Sequence, residues 1–215
     1  IKAGSPIGVY YQNLSQECYN FFEQDMKKSE IFLKSNDIRK YSISRAFNNS
    51  NTKENLFLEF GVYKGDSINL FGNFLSQHSR EIYGFDSFEG LEEEWNMNDY
   101  NPIGRFSLNK KNPKVLKNVT LIKGKVQNTL ENFLKDKKDK KIIFAHMDMD
   151  TYTPTKYALN KIKPFLQKGS VILFDEFYGY PNWQLYEYKA FTEEFNPNDY
   201  KYIAFCTRQV AIEIL

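Results

Sequence analysis

The sequence predicts an α/β domain: a Rossmann-like, seven-stranded, mostly parallel sheet with helices on both faces and a closing antiparallel hairpin. Three observations predict it. From Leu56 onward, short apolar runs alternate with segments whose apolar residues recur at helical spacing. The last two runs are joined only by Thr207-Arg208-Gln209, a link too short for anything but an antiparallel pair. Two other runs end in acid, at Asp148-Met149-Asp150 and at Asp175-Glu176, as strands do when their carboxyl ends carry chemistry.

In chain order, residues 1–12 read as irregular. Asn13 then reads as the cap of a helix that turns Leu14, Cys18, Phe21, Phe22 and Met26 to one face. A short helix over Tyr41 to Phe47 follows, ending in the polar turn Asn48-Asn49-Ser50-Asn51. Together, residues 1–50 form a helical cap and residues 51–215 the main domain. Leu56 to Phe60 is the first strand. Asp66 reads as the cap of a helix with Ile68, Phe71, Phe74 and Leu75 inward. Strands are expected at Glu81 to Phe85 and Val119 to Ile122. Between them, residues 89–113 are polar apart from Trp95, Tyr100 and Phe106; an excursion of that length reads as a lid or binding loop. A short helix after Thr129 leads to the strand Ile142 to Ala145. Thr153 then caps a helix with Pro154 at its first position, Gly169 ends it, and Ser170 to Phe174 is a strand. Gln184 to Phe195 is helical, and Tyr202 to Cys206 and Val210 to Ile214 form the hairpin.

Bulk properties narrow the function. The chain has 215 residues, 41% hydrophobic and 26% charged, and a net charge of +2 from 29 Lys+Arg and 27 Asp+Glu. That balance gives no field toward nucleic acid or a membrane surface, and no apolar run approaches the roughly 20 residues of a membrane span. The Lys-rich run Lys135 to Lys141, which contains two Asp, reads as a solvated helix end. Cys18 and Cys206 read as separate buried thiols, so the expected location is the cytoplasm. The hairpin edge and the N-terminal helices are the candidate contacts for a homo-oligomer.

The two acidic strand ends place four carboxylates in one pocket. Such a pocket repels itself unless it holds a cation, a proton or a cationic ligand. Hard oxygen donors suit Mg²⁺, and with no cluster of Cys and His zinc is not expected. Asp150 is the candidate general base, two residues beyond Asp148, and His146 is the alternative base. His78 reads as a solvated helix cap. Tyr178, Tyr180, Trp183, Glu187 and Lys189 follow the second acidic end and are candidates for acceptor contact or for packing.

The other half of the expected site begins at Glu59-Phe60-Gly61-Val62-Tyr63-Lys64-Gly65-Asp66. Gly61 and Gly65 let backbone approach a ligand closely. The spacing differs from the dinucleotide fingerprint, and Asp66 at the helix start would repel a phosphate. A nucleoside without phosphate fits better. Asp86, at the end of the next strand and about 20 residues past the glycine loop, can accept ribose hydroxyls. In this order the motifs suit a nucleoside cofactor such as S-adenosylmethionine.

Four phrases occur in sequence: Glu59-Phe60-Gly61-Val62-Tyr63-Lys64-Gly65; Gly84-Phe85-Asp86-Ser87-Phe88-Glu89-Gly90-Leu91; His146-Met147-Asp148-Met149-Asp150-Thr151-Tyr152; and Phe174-Asp175-Glu176-Phe177. The set resembles the macrocin O-methyltransferase-like (TylF/MycF) family of class I S-adenosylmethionine-dependent methyltransferases, over roughly residues 50–215. The resemblance implies Mg²⁺-dependent methyl transfer to a hydroxyl of a small molecule, often a sugar. It implies a cofactor side built from Glu59, Gly61, Tyr63, Gly65, Asp66, Ser67, Asp86, Ser87, Phe88, Gly124 and Asp148. Asp148, Asp175 and Glu176 match the metal ligands, and Asp150 the base. This chain departs from the family at Asp175-Glu176, where two aspartates are usual, and after Gly124, where Lys125-Val126 replaces an aromatic pair.

Two other readings compete. Asp148-Met149-Asp150 is also the Asp-x-Asp pattern of metal-dependent glycosyltransferases. That reading leaves Asp86 and the glycine loop unexplained and offers only Lys125 as a partner for diphosphate. A non-catalytic nucleoside-binding protein on the same fold would be expected to lose the acids, and all four are present.

Overall fold

Leu56-Phe57-Leu58-Glu59-Phe60 is buried at every position, as a strand covered on both faces must be. The computed structural model describes residues 4–50, 52–97 and 99–215. The elements run α1 (Pro6–Met26), β1 (Glu30–Ile31), α2 (Ser35–Asn49), β2 (Leu56–Phe60), α3 (Asp66–Ser76), β3 (Ile82–Asp86), β4 (Trp95–Asn96), β5 (Tyr100–Asn101), β6 (Val119–Lys123), α4 (Val126–Asp136), β7 (Ile142–Met147), α5 (Tyr152–Ile162), β8 (Leu166–Phe174), α6 (Glu187–Glu194), β9 (Tyr200–Phe205) and β10 (Val210–Ile214).

The main sheet has eight strands in the order β1-β9-β10-β8-β7-β2-β3-β6. Only β10 runs antiparallel, between β8 and β9. All seven expected strands are present. The addition is β1, two residues of the N-terminal cap that pair in parallel with β9 and cover the hairpin edge. The chain leaves β2 for β3 and β6, then returns to β7 and β8 on the other side. The switch point therefore lies between β2 and β7, where ligands of open α/β sheets bind.

Alternate residues of the strands feed two core layers. Leu56, Leu58 and Phe60 pack with Cys18 and Phe22 of α1 and with Leu130, Leu159 and Phe191 of α4, α5 and α6. Phe57 packs on the opposite face with Ile38 and Ile43 of α2 and Ile68 and Phe71 of α3. Glu59 faces this second layer.

Several boundaries differ from those expected. The first helix starts at Pro6, not after Asn13, because Ser5 caps it: the Ser5 hydroxyl accepts from Gly8 N at 3.1 Å, and Pro6 sits at the first position. The second runs from Ser35 to Asn49, longer than Tyr41 to Phe47; Asn51 of the turn behind it lies outside the described residues. Gly65, with φ 89°, occupies the cap position of α3, and Asp66 is the first helical residue, where its charge favours the helix N-terminus. Helix α4 begins at Val126, ahead of Thr129, and α5 begins at Tyr152, with Thr151 and not Thr153 at its cap. A proline, not Gly169, stops α5: Pro164 cannot continue the helix, a 3₁₀ turn follows, and Gly169 falls inside β8 with φ 86°. Residues 89–113 hold a small two-stranded hairpin, β4 with β5. His78 is exposed but stacks on Phe47 at 4.2 Å, so it packs as well as meeting solvent.

Candidate active site

Strands β2 and β7 bring their carboxyl ends together so closely that one residue between them has to be glycine. At Gly61, φ is 88° and a Cβ would stand 1.7 Å from the Asp148 carbonyl oxygen. Gly61 N donates to Phe85 O at 2.9 Å, and Asp148 N to Phe60 O at 2.8 Å. The glycine loop and the first acidic end are thus parts of one construction.

Above this crossing lies a cavity of about 370 Å³. One flank is Gly61, Tyr63, Asp86, Ser87 and Gly124; the other is Asp148, Asp150, Asp175 and Glu176. Trp95, Met97 and Phe106, from residues 89–113, form its outer wall. Trp95 is 3% exposed and meets Phe106 and Tyr180 edge-on or tilted, whereas Tyr100 points to solvent. Acids of this segment tie it to the domain: Glu92 accepts from Gln127 and lies 3.6 Å from Lys125, and Glu93 accepts from Thr153 N at the start of α5.

The expected cofactor residues divide into two groups. Gly61, Tyr63, Asp86, Ser87, Gly124 and Asp148 line the cavity, while Glu59, Gly65, Asp66, Ser67 and Phe88 do not. Phe88 is buried in the core, Gly65 closes the loop, and Asp66 is exposed on the helix. Asp86 has a structural task besides any ligand contact. Its Oδ2 accepts from Val62 N and Tyr63 N, both at 2.8 Å, and its Oδ1 from Phe88 N at 2.6 Å, so it pins the loop that forms the cavity floor.

Glu59 and His146 stand side by side on β2 and β7, completely buried beneath the mouth. Glu59 Oε1 accepts from Ser67 Oγ at 2.6 Å. Its Oε2 lies 3.8 Å from His146 Nδ1, an ion-pair separation rather than a hydrogen bond. His146 Nε2 lies 3.3 Å from Asp175 Oδ1. Burial alone would lower the His146 pKa, but Asp175, Glu59 and Asp148 outweigh it and raise it to about 10. The acids around His146 thus favour its charged form. His146 is absent from the cavity lining.

The acids form one connected cluster. Donor atoms of Asp148, Asp150 and Glu176 lie within 4.8 Å of one another, and so do those of His146, Asp148 and Asp175. Burial, then the charge of Asp175, pushes Asp148 well above the usual carboxylate range and Asp150 up to about 8. Burial and the same neighbours raise Glu176. Asp175 goes the other way: burial would raise it, but His146 and Arg39 hold it below the usual range. Arg39 donates to Asp175 Oδ1 at 2.7 Å, and Gln209 donates to the same oxygen. Asp150 itself is set in the left-handed region with φ 61°, inside a three-residue turn closed by Thr151 N to Met149 O at 2.6 Å. That conformation is costly for a non-glycine residue and recurs where a side chain must be aimed.

Of the residues following the second acidic end, Tyr178, Tyr180 and Trp183 are buried packing groups. Glu187 is fully buried, and its Oε2 accepts from Glu176 N at 3.1 Å, so it braces a cavity residue from behind. Lys189 is exposed over the Tyr152 ring. Arg39 and Gln209 escaped the sequence reading. Their one signal is position: Gln209 lies in the hairpin link, and Arg39 lies 136 residues before its partner.

Sheet order, switch point and strand-end cavity define a class I methyltransferase fold. The chain belongs to the family described as "Methyltransferase domain", which it matches over residues 58–177. No curated protein matches it in sequence. Among solved structures it is similar to the calicheamicin methyltransferase CalS11, with 22% identity and a TM-score of 0.66 over 97% of this chain and 93% of that one. An apo form of CalS11, described as a TDP-rhamnose 3'-O-methyltransferase, superposes with a TM-score of 0.60 at 22% identity, over 97% and 95% of the two chains. The O-methyltransferase NovP gives 0.62 at 18% identity over 83% of this chain and 78% of that one.

Proposed function

We propose that this chain transfers the methyl group of S-adenosylmethionine to a hydroxyl of a small molecule, of sugar type, with Mg²⁺ in the acid cluster. The observation that carries the reading is one shared cavity, in which the glycine-loop flank faces four carboxylates across the β2–β7 switch point. Family membership supports methyl transfer, the description of NovP as an O-methyltransferase supports a hydroxyl acceptor, and the sugar follows the description of CalS11.

The donor set fits a hard divalent cation. Asp148, Asp150 and Glu176 bring mutually close oxygens, Asp148 and Asp175 form a second close group with His146, and burial leaves Asp148 and Glu176 short of compensating charge. Asp148, Asp175 and Glu176 would hold the ion, which in place lowers the pKa of a bound hydroxyl by several units. Asp150, beside these ligands in the cavity lining, would take the hydroxyl proton. Gly61 and Ser87 shape the nucleoside flank, and Trp95, Met97 and Phe106 exclude water from the reacting oxygen.

Membership of a methyltransferase family displaces the glycosyltransferase reading, and Lys125 is the one cation lining the cavity among the described residues. Free, buried Cys18 and Cys206 support a reducing, cytoplasmic location, and among the described residues no helix is long and apolar enough to cross a membrane. Residues 1–50 act as a cap on a 51–215 catalytic domain with its lid at 89–113. Exposed Ile7, Tyr10 and Phe21 on α1 support a homo-oligomer contact.

The test is calorimetric titration with S-adenosylhomocysteine, with and without Mg²⁺, followed by methyl transfer to a panel of sugar hydroxyls. Micromolar binding and Mg²⁺-stimulated transfer are expected; no binding in either condition rejects the reading.

A further inference from the structure

Three segments far apart in sequence converge on one oxygen atom. Arg39 Nη2, from α2, donates to Asp175 Oδ1 at 2.7 Å; Gln209 Nε2, from the β9–β10 link, donates to the same oxygen; and His146 Nε2, from β7, lies 3.3 Å away. Arg39 and Asp175 are 16% and 15% exposed, and Gln209 is 2% exposed, so this is a buried assembly. Arg39 Nε has no partner, which leaves the guanidinium committed to Asp175 among the described residues. Asp175 nevertheless lines the cavity.

A carboxylate rotates easily about its last torsion, because that barrier is low and broad. Three donors on one oxygen remove the freedom and leave the second oxygen as the one clear of these contacts. Of the three, only Arg39 carries a charge that no accessible pH removes; Gln209 is neutral and His146 titrates.

We infer that Arg39, assisted by Gln209, is a positioning residue that fixes Asp175 with its Oδ2 turned toward the metal held by the acid cluster. This rests on the Mg²⁺ reading above. It makes the cap part of the site machinery, since Arg39 lies outside residues 58–177, the span that carries the family match. Without Arg39, Asp175 is a buried carboxylate short of its strongest donor. It turns toward Gln209 and His146, and its cavity oxygen is lost to the ion. Partners that orient a ligand from behind are typically worth about 10–100-fold in metal affinity.

The experiment titrates MgCl₂ into protein saturated with S-adenosylhomocysteine, for wild type, Arg39→Met, Arg39→Lys and Gln209→Met, with thermal unfolding of each in chelator. Arg39→Met is expected to weaken Mg²⁺ binding about tenfold or more while its affinity for S-adenosylhomocysteine stays within about twofold. Arg39→Lys should recover most of the loss, and Gln209→Met should show a smaller loss. A merely structural role would lower the unfolding temperature and both affinities together. A folded Arg39→Met that binds Mg²⁺ like wild type, or more tightly, overturns the inference. If Arg39→Met does not fold, Gln209→Met decides: weaker Mg²⁺ binding supports the inference and unchanged binding overturns it. Wild type that fails to bind S-adenosylhomocysteine rejects the methyltransferase reading instead. Wild type that binds it but not Mg²⁺ overturns the metal assignment and this inference with it.

Discussion

The two ends of the sheet treat buried carboxylates in opposite ways. At the mouth, four acids crowd together, and Asp148, Asp150 and Glu176 are pushed above their usual range by burial and by the charge of Asp175. At the far end of β10, Glu213 stands alone with three donors. Arg45 and Lys201 lie 2.6 and 2.8 Å from its oxygens, and Asn49 donates at 3.0 Å. Burial would raise the Glu213 pKa, but those partners depress it to about 2. Both sites are built from the same residue type on neighbouring strands. The far end is satisfied by the chain alone, whereas the mouth is satisfied only by protons, by the cations Arg39 and His146, or by an ion from outside. A fold that leaves charge uncompensated at one end and compensates it at the other marks where a ligand belongs.

Four experiments test that contrast. The largest effect is expected at Asp150. Asp150→Asn should reduce methyl transfer by about 10²–10⁴-fold while S-adenosylhomocysteine binds within about threefold of wild type; a turnover number near wild type would remove Asp150 as the base. Gly61→Ala comes next, because its Cβ meets the Asp148 carbonyl and its φ is left-handed. A loss of about 3 kcal/mol or more in denaturant unfolding is expected, and a loss below about 1 kcal/mol would show that the β2–β7 crossing can relax.

The third concerns pH. Burial and the charge of Asp175 push Asp150 up to about 8 when folded, against an ordinary value of 3.8. The folded state therefore binds protons that the unfolded chain has released, and this contribution is present at low pH and lost as pH rises through about 8. His146, raised from 6.5 to about 10, acts in the same direction over its own window. In chelator, the unfolding temperature should fall from pH 6 to pH 9, and Mg²⁺ should reverse most of the fall. A flat profile would mean the mouth is not strained. Glu213 has the opposite sign. Its contribution is present above about 4.5 and lost as pH falls toward about 2. The smallest effect follows from this: Glu213→Gln should cost about 1 kcal/mol or less, flatten only the acid limb, and leave Mg²⁺ affinity alone. A change in metal binding would show that the two ends of the sheet communicate.

Much of the fold was legible because apolar periodicity reports burial directly. Leu56 to Phe60, Ile142 to Ala145 and Val171 to Phe174 are buried without interruption and read as interior strands. What stayed hidden was decided by end effects. The Ser5-Pro6 start of α1 was readable but weaker than the apolar stripe that follows it, and β1 is two residues whose pairing depends wholly on β9.

By itself the sequence determined the strand order in time, the hairpin, the glycine loop and the four acids, because these depend on local propensity and on residue type. Tertiary structure alone decided which side each acid takes. It buried Glu59 and His146 beneath the mouth, turned Asp86 onto the loop amides, and set Arg39 against Asp175 across 136 residues. A pKa or a hydrogen bond depends on what lies within a few ångströms in space, and for Asp175 those neighbours come from α2, β7 and the hairpin link.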